Sequence, residues 1–392
     1  MSAPMVHATT LTETPRPACD NCVTRGQSGA SLQEEAPPGR SVFITIRSQA
    51  YAVIIGAPAY TVRMDETPAR GPRLRLVATL GPASFGREAA LANAGATALR
   101  LNASHMAPDE VARRARDALR NAPRAACIVD LQGSKMRIGA FEAREVREGE
   151  VVRFALSSDG GGVSLPHPEL FASVSPGERL TLDDGKLEGI VEDVTPSLLS
   201  VRMLTAGWLR PRKGINRPRH PVEPAGLCDA DKAVLDACCH IAGIDYAISF
   251  VRDGREAQWV RAHGPRRIVL KIEREEAVHS LHSISTTGDE IWICRGDLGA
   301  QLGLEAMARA VHDIDRPRIA VPVLLAGQVL EHLTAHSEPT RSEVCHIHDV
   351  LLRGFDGVVL SDETAIGVDP ENAVRWAARL LRGLGPARRR DD

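Results

Sequence analysis

Lysine is what this 392-residue chain is shortest of: among its 48 basic residues only five are lysine, at positions 135, 186, 213, 232 and 271. Arginine fills the remaining basic positions. Each surviving lysine is therefore a candidate for work that needs a compact charge and a removable proton, which a guanidinium does not offer. Net charge is lacking too. Fifty acidic residues leave a formal −2, so composition gives no case for nucleic acid or an acidic membrane as partner. No apolar run is long enough to span a bilayer, and the N-terminus has no basic segment leading into an apolar one, as a secretory signal would. A disulfide framework is missing as well. The eight cysteines are scattered, and half of them sit in apolar segments (Cys127, Cys238, Cys239, Cys294), as reduced thiols do in a cytoplasmic protein. Cys19 and Cys22 form a C-x-x-C, which is half a zinc site with no second pair nearby.

What is present, 43% hydrophobic and 25% charged residues, describes a globular protein of two or three domains. Residues 1–70 are rich in Pro, Ser, Thr and Ala with little periodicity; SVFITIR and YAVIIGA are short apolar runs without evident partners. This stretch is expected to be a poorly ordered extension, and a start at Met64 would remove most of it. From Leu74 onward, β-rich runs alternate with amphipathic stretches: LRLVATL, TALRLN, AACIVDL, DYAISFV, RIVLKIE, EIWICRG, VPVLLAG and DGVVLS. Eight apolar strands, each with a helix, predict an α/β fold with a parallel sheet covered on both faces, and eight is the number that closes a (β/α)8 barrel. One connection breaks the rhythm. More than a hundred residues separate Asp130 from Tyr246, and 141–213 read as short strands punctuated by Gly, Pro and Asp. The prediction is a small all-β domain at 141–213 inserted after strand three, a barrel formed by 71–140 and 214–385, and a solvated tail at 386–392.

The run RIVLKIEREE (267–276) poses the functional question. Side chains alternate along a strand, so Lys271 and Glu273 share one face of an otherwise apolar strand. Opposite charges there are costly unless something uses them. Other strand ends are polar as well: Arg100, Asn102 and Ser104 after strand two, Asp130 after three, Arg295, Gly296 and Asp297 after six, Gln328 after seven, Ser361, Asp362 and Glu363 after eight. The strand starts show no comparable set. C-terminal strand ends are where such barrels carry function. Glu273 and Asp297, on adjacent strands, suit Mg²⁺, which takes few protein ligands plus substrate oxygens. Lys271, Arg100 and Arg137 add positive charge, and together these make a kit for phosphoryl transfer. A structural Lys–Glu pair with a capping Asp is the simpler alternative; polar residues at six strand ends weigh against it.

These residues resemble the pyruvate kinase family over about 74–383. The matching segments stand in that family's order: TLGPAS, LRLNASH, VDLQGSKMRIG, LDDGK, PRKGIN, ISFVRD, LKIE, RGDLG, PVLLAGQVLE, PTRSEV and LSDETAIG. The resemblance implies a TIM barrel with an inserted domain that closes as a lid, and conversion of phosphoenolpyruvate and ADP to pyruvate and ATP. It implies that Glu273 and Asp297 hold Mg²⁺ or Mn²⁺ and that Lys271 stabilises the transferring phosphoryl group, with Arg100 and Ser361 in the catalytic set. Backbone N–H groups at Arg295 and Gly296 would take the substrate carboxylate beside Asp297 and Gly327. Arg137 would face phosphate oxygens, Lys213 would reach the nucleotide phosphates, and Pro82 and His105 would line the nucleotide site. Asn102, Ser104, Asp130 and the Leu131 carbonyl would form a monovalent-cation site.

Three departures shape the expectation. Potassium-dependent members carry Thr, Lys and Glu at positions 131, 132 and 135, where this chain has Leu131, Gln132 and Lys135. It thus resembles the potassium-independent branch, in which an ammonium at 135 supplies the charge and K⁺ is not required. Gly327 stands where the family has a threonine on the proton-delivery side, so enolate protonation should slow unless water takes the space. The family's C-terminal domain does not follow the eighth helix, so regulation through it, and oligomeric contacts made by it, are not expected; a homo-oligomer built on other surfaces stays open. Two alternatives remain beside the cytoplasmic phosphotransferase reading: a catalytically weak regulatory or binding protein, and a metal-dependent 2-keto-acid aldolase or lyase on the same barrel.

Overall fold

The computed structural model describes residues 74–157, 161–183, 185–218 and 226–384, together with the backbone of four strands nearer the N-terminus. The chain divides into two units, 1–71 and 72–392. In the first, Ser31–Glu35, Arg40–Ile46, Gln49–Ile55 and Val62–Met64 form an antiparallel meander in chain order. The two apolar runs that lacked partners in the sequence pair with each other, Arg40 opposite Ile55 and Ile46 opposite Gln49. The C-x-x-C pair and the 386–392 tail lie outside the described residues.

The second unit holds a closed barrel of eight parallel strands in chain order. They are β1 (Arg75–Leu80), β2 (Ala98–Asn102), β3 (Ala126–Leu131), β4 (Ile244–Ile248), β5 (Ile268–Ile272), β6 (Glu290–Cys294), β7 (Val323–Ala326) and β8 (Gly357–Leu360). All eight coincide with the predicted runs. They read as continuous hydrophobic stretches because both faces are covered. Outward residues such as Leu76, Leu99, Val129, Leu270 and Ile293 pack under the helices. Inward residues, among them Val77, Ile128, Val269, Trp292, Leu324 and Val359, fill the bore. The helices include Pro108–Asn121, Arg341–Leu352 and Pro370–Leu384.

The expectation that the strand starts carry no polar set was wrong. Arg75 Nε lies 2.6 Å from Glu290 Oε2, and Trp292 Nε1 donates to Glu290 Oε1 at 2.8 Å. Asp245 takes Arg266 Nε at 3.0 Å. Each of these residues is legible alone, but only barrel closure brings β1, β4 and β6 to one floor. The set is paired internally and faces away from the cavity at the other end, which fits a structural plug.

The insertion folds on its own six-stranded sheet, in the order Val163–Ser164, Val151–Ala155, Leu198–Met203, Leu187–Val194, Arg179–Leu182, Ile215–Asn216. Its core, including Phe154, Leu165, Leu180, Val191 and Val201, is separate from the barrel's. Met136, Ile138 and Ile215 belong to that core, so the domain reaches a few residues beyond 141–213 on both sides. Thr181 Oγ1 donates to the Ala300 carbonyl at 2.9 Å and ties the sheet to the helix after β6.

Candidate active site

A cavity of about 900 Å³ opens at the C-terminal strand ends, walled on one side by the inserted sheet. Strand alternation explains what lines it. On β5, Val269 fills the bore and Lys271 follows two residues later on the same face, with Glu273 at the strand's end. Lys271 is 7% exposed, and its ammonium is fully engaged: Ser249 Oγ at 2.8 Å, Asp130 Oδ2 at 3.0 Å and Glu273 Oε1 at 3.1 Å. Burial alone would lower its pKa, but the two carboxylates more than compensate and raise it above that of free lysine.

Arg100 enters from β2. Its Nε and Nη2 reach Asp130 Oδ2 at 2.7 and 2.6 Å, and Nη1 donates to Thr79 Oγ1 at 3.0 Å. Burial works to raise the Asp130 pKa, but Lys271 and Arg100 overcome it and hold the carboxyl below its ordinary value. Glu273 Oε2 accepts the Phe250 N–H at 2.7 Å. Burial and then the neighbouring Asp297 push the Glu273 carboxyl up, against the pull of Lys271. Two carboxylates that repel each other across a buried cavity gain from a shared cation. Among the described residues no cluster of three or more His, Cys, Asp or Glu is arranged as a metal site. Glu273 and Asp297 are two carboxylates at one cavity, a donor set of the kind that suits an ion taking its other ligands from substrate and water, as Mg²⁺ does.

Lys135 is drawn toward Asp297. Its ammonium sits 2.8 Å from each oxygen of Asp297 and 5.7 Å from the Phe250 ring centroid. The loop that carries it is held from below, where buried Asp231 accepts the N–H groups of Gln132 at 2.8 Å and Gly133 at 2.9 Å.

Arg295 and Gly296 open the helix Arg295–Leu302, whose first residues have no side-chain cap. Their N–H groups face Gly327, where an added Cβ would lie 3.2 Å from Gly296 N and 3.5 Å from Arg295 N. Free N–H groups at a helix start are a place for a carboxylate or phosphate. Backbone strain gathers here. Among the described residues the non-glycine positions with positive φ are Asp183, Arg212, Phe250 and Gln328. Gln328 lines the cavity, Phe250 donates to Glu273, and Asp183 Oδ1 pairs with Lys213 at 3.1 Å. Such conformations cost about 1–3 kcal/mol each and concentrate at working sites.

Most of the predicted residues converge. Arg100, Asn102, Ser104, His105, Lys135, Arg137, Lys213, Lys271, Glu273, Arg295, Gly296, Asp297, Gly327 and Ser361 all line the cavity. Asp130 lies just beneath it, 1% exposed. Leu131 packs outward in the barrel core, leaving only its backbone for the site. Pro82 is exposed on the loop after β1, outside the lining. His105 stands at the rim, its imidazole held below the usual value by desolvation and then by Arg137 and Lys213. Sequence reasoning missed Ser249, Thr79, Asn216 and Asp231. Alternation from Ala247 on β4 would have found Ser249. Asn216 ends the PRKGIN segment and approaches Asp297 Oδ1 at 3.5 Å. Nothing local marks Asp231, which is distant in sequence from the loop it holds.

With this geometry established, comparison with known proteins gives a consistent answer. The family model described as "Pyruvate kinase, barrel domain" matches residues 72–374. The pyruvate kinase of Methylorubrum extorquens is 35% identical over 330 residues, covering 79% of this chain and 68% of that protein. That of Corynebacterium glutamicum is 34% identical over 331 residues, covering 79% and 69%. Among solved structures, the crystal structure of pyruvate kinase from Pyrobaculum aerophilum aligns with a TM-score of 0.70 at 27% identity, over 81% of this chain and 74% of that one.

Proposed function

The chain belongs to the pyruvate kinase family, and from that premise we propose that it transfers the phosphoryl group of phosphoenolpyruvate to ADP, giving ATP and pyruvate. The observation that carries the reading is the grouping of Lys271, Glu273 and Asp297 at one cavity that Arg137 and Lys213 also line. In the transfer, the bond from phosphorus to the enol oxygen breaks as one forms to an ADP phosphate oxygen, and the enolate left behind takes a proton at its methylene carbon. Lys271 is oriented by Ser249 and Asp130 so that its charge meets the phosphoryl group as bonding to both oxygens weakens. Arg100, locked on Asp130 and Thr79, adds a second fixed cation. The N–H groups of Arg295 and Gly296 bind the substrate carboxylate. Lys213 and Arg137 engage nucleotide phosphates, with His105 at the same rim. Glu273 and Asp297 would hold Mg²⁺ or Mn²⁺, which would supply neutralisation of the negative charge that develops in the transfer. The inserted domain, residues 141–213 with the few flanking residues in its core, acts as a lid that excludes water.

The family resemblance sets Gly327 where a threonine usually stands, on the proton-delivery side. Gly327 has no hydroxyl, and Ser361 at the cavity wall is the side chain that remains there to order a water. Slow enolate protonation follows. Lys135 beside Asp297 supports independence from K⁺, since an ammonium already stands within the charged cluster. The nucleotide-side cations weigh against an aldolase or lyase, which would have no use for them. The same family reading carries the proposals of a cytoplasmic location and of a homo-oligomer. A coupled assay that reads pyruvate from phosphoenolpyruvate and ADP, with and without Mg²⁺, tests the function. Metal-dependent pyruvate release is the expected result, and tight substrate binding without turnover would turn the reading toward a regulatory protein.

A further inference from the structure

Arg295 takes part in two cavities. Its backbone opens the helix at the main cavity, while its half-buried side chain runs outward to a second cavity of about 430 Å³ between the helices Leu304–His312 and Arg341–Leu352. On the way the guanidinium clamps the turn after β7. Nε donates to the Gly327 carbonyl at 3.0 Å, and Nη2 donates to Gly327 at 2.5 Å and Gln328 at 2.8 Å. These two residues have consecutive left-handed conformations, φ 85° and 52°. A turn of that kind needs outside support. The remaining guanidinium arm, Nη1, lies 2.9 Å from His346 Nε2 on the outer helix. An arginine has only donors, so His346 must accept there, and it can do so only as a neutral imidazole.

We propose that His346 is a positioning residue for the reaction: its neutral imidazole anchors Arg295, which holds the Gly327–Gln328 turn against the helix start that binds the substrate carboxylate, and its protonation releases that anchor. The inference rests on the assignment of the carboxylate to the Arg295 and Gly296 N–H groups. The charged and titratable groups facing His346 are Arg295, His312 on the neighbouring helix, and Asp349 and Arg353 on its own. Burial first, and then Arg295, hold its imidazole below the ordinary value, against Asp349. The folded protein therefore favours the neutral form, and the anchor is intact above the unfolded pKa of about 6.5 and lost as pH falls through the lower folded value.

The test compares the unaltered protein with His346→Gln, which keeps a neutral acceptor at all pH, and His346→Lys, a permanent cation. The Michaelis constant for phosphoenolpyruvate is measured between about pH 7.5 and about pH 5.5 and expressed as a ratio between proteins, which cancels titration of the substrate itself. The expected ratio of the unaltered protein to His346→Gln rises about five-fold toward acid, the equilibrium worth of one hydrogen bond, with kcat moving less. His346→Lys has the raised constant throughout. Thermal midpoints read the anchor without activity: the midpoint of the unaltered protein should fall relative to His346→Gln below about pH 6.5. A midpoint difference that opens while the Michaelis constants run in parallel would overturn the carboxylate assignment and, with it, the positioning role. Parallel midpoints and parallel constants would show that His346 anchors nothing.

Discussion

At the residue scale, the chemistry depends on a few side chains whose charge is fixed by partners rather than by solvent. Lys271 is the clearest case. Replacing it by Met leaves Asp130 and Glu273 buried without their shared cation, which costs about 3 kcal/mol in stability. Turnover should fall about 10²–10³-fold, as when one preorganised charge is removed from a transition state. Denaturant midpoints and the pyruvate-coupled rate read the two effects separately; full turnover in Lys271→Met would remove the residue from the mechanism. Lys135 is expected to make the rate indifferent to K⁺. Exchanging K⁺ for a large inert cation at constant ionic strength should change it by less than about two-fold, and a many-fold dependence would contradict the assignment. Gly327 holds a left-handed backbone conformation in this chain. At φ 85° a side chain is strained, so Gly327→Ala should cost about 1–2 kcal/mol in thermal or chemical unfolding. An unchanged midpoint would mean that the turn after β7 relaxes.

At the element scale, the strands were the legible part. β5 and β6 announce themselves as apolar runs, and alternation carries Lys271 and Glu273 to the inner face without any tertiary knowledge. Partners were not legible in the same way. Asp130 and Ser249 meet Lys271 only because β3, β4 and β5 are neighbours in a closed sheet, and the outward path of Arg295 to His346 depends on a helix 51 residues away in sequence. That helix, Arg341–Leu352, has a local start signal: Thr340 Oγ1 accepts the Glu343 N–H at 3.2 Å, and Glu343 Oε2 accepts the Thr340 N–H at 2.7 Å. Thr340→Ala should cost about 1 kcal/mol, measured by urea unfolding. A neutral result would mean that packing alone sets the helix start, and with it the position of His346.

At the scale of the whole molecule, three buried clusters divide the work among the described residues: one seats the helices on the barrel, one fills its bore and one folds the inserted sheet. The break in the β/α rhythm was visible because Gly, Pro and Asp punctuate short strands between Asp130 and Tyr246. Its limits were not, because Met136, Ile138 and Ile215 look like barrel connections until the sheet is seen. The polar floor of Arg75, Asp245 and Glu290 was invisible for a similar reason, since closure unites residues that the sequence keeps far apart. The account as a whole rests on a single cluster: a cation from β5 and carboxylates from the ends of β5 and β6, brought to one cavity by barrel closure. The most direct test is the initial rate of pyruvate formation from phosphoenolpyruvate and ADP, with Mg²⁺ and after chelation, in the unaltered protein and in Glu273→Gln. The account predicts a rate that needs the metal and falls about 10²–10³-fold in the variant; pyruvate formation indifferent to chelator, or equal in the two proteins, would contradict it.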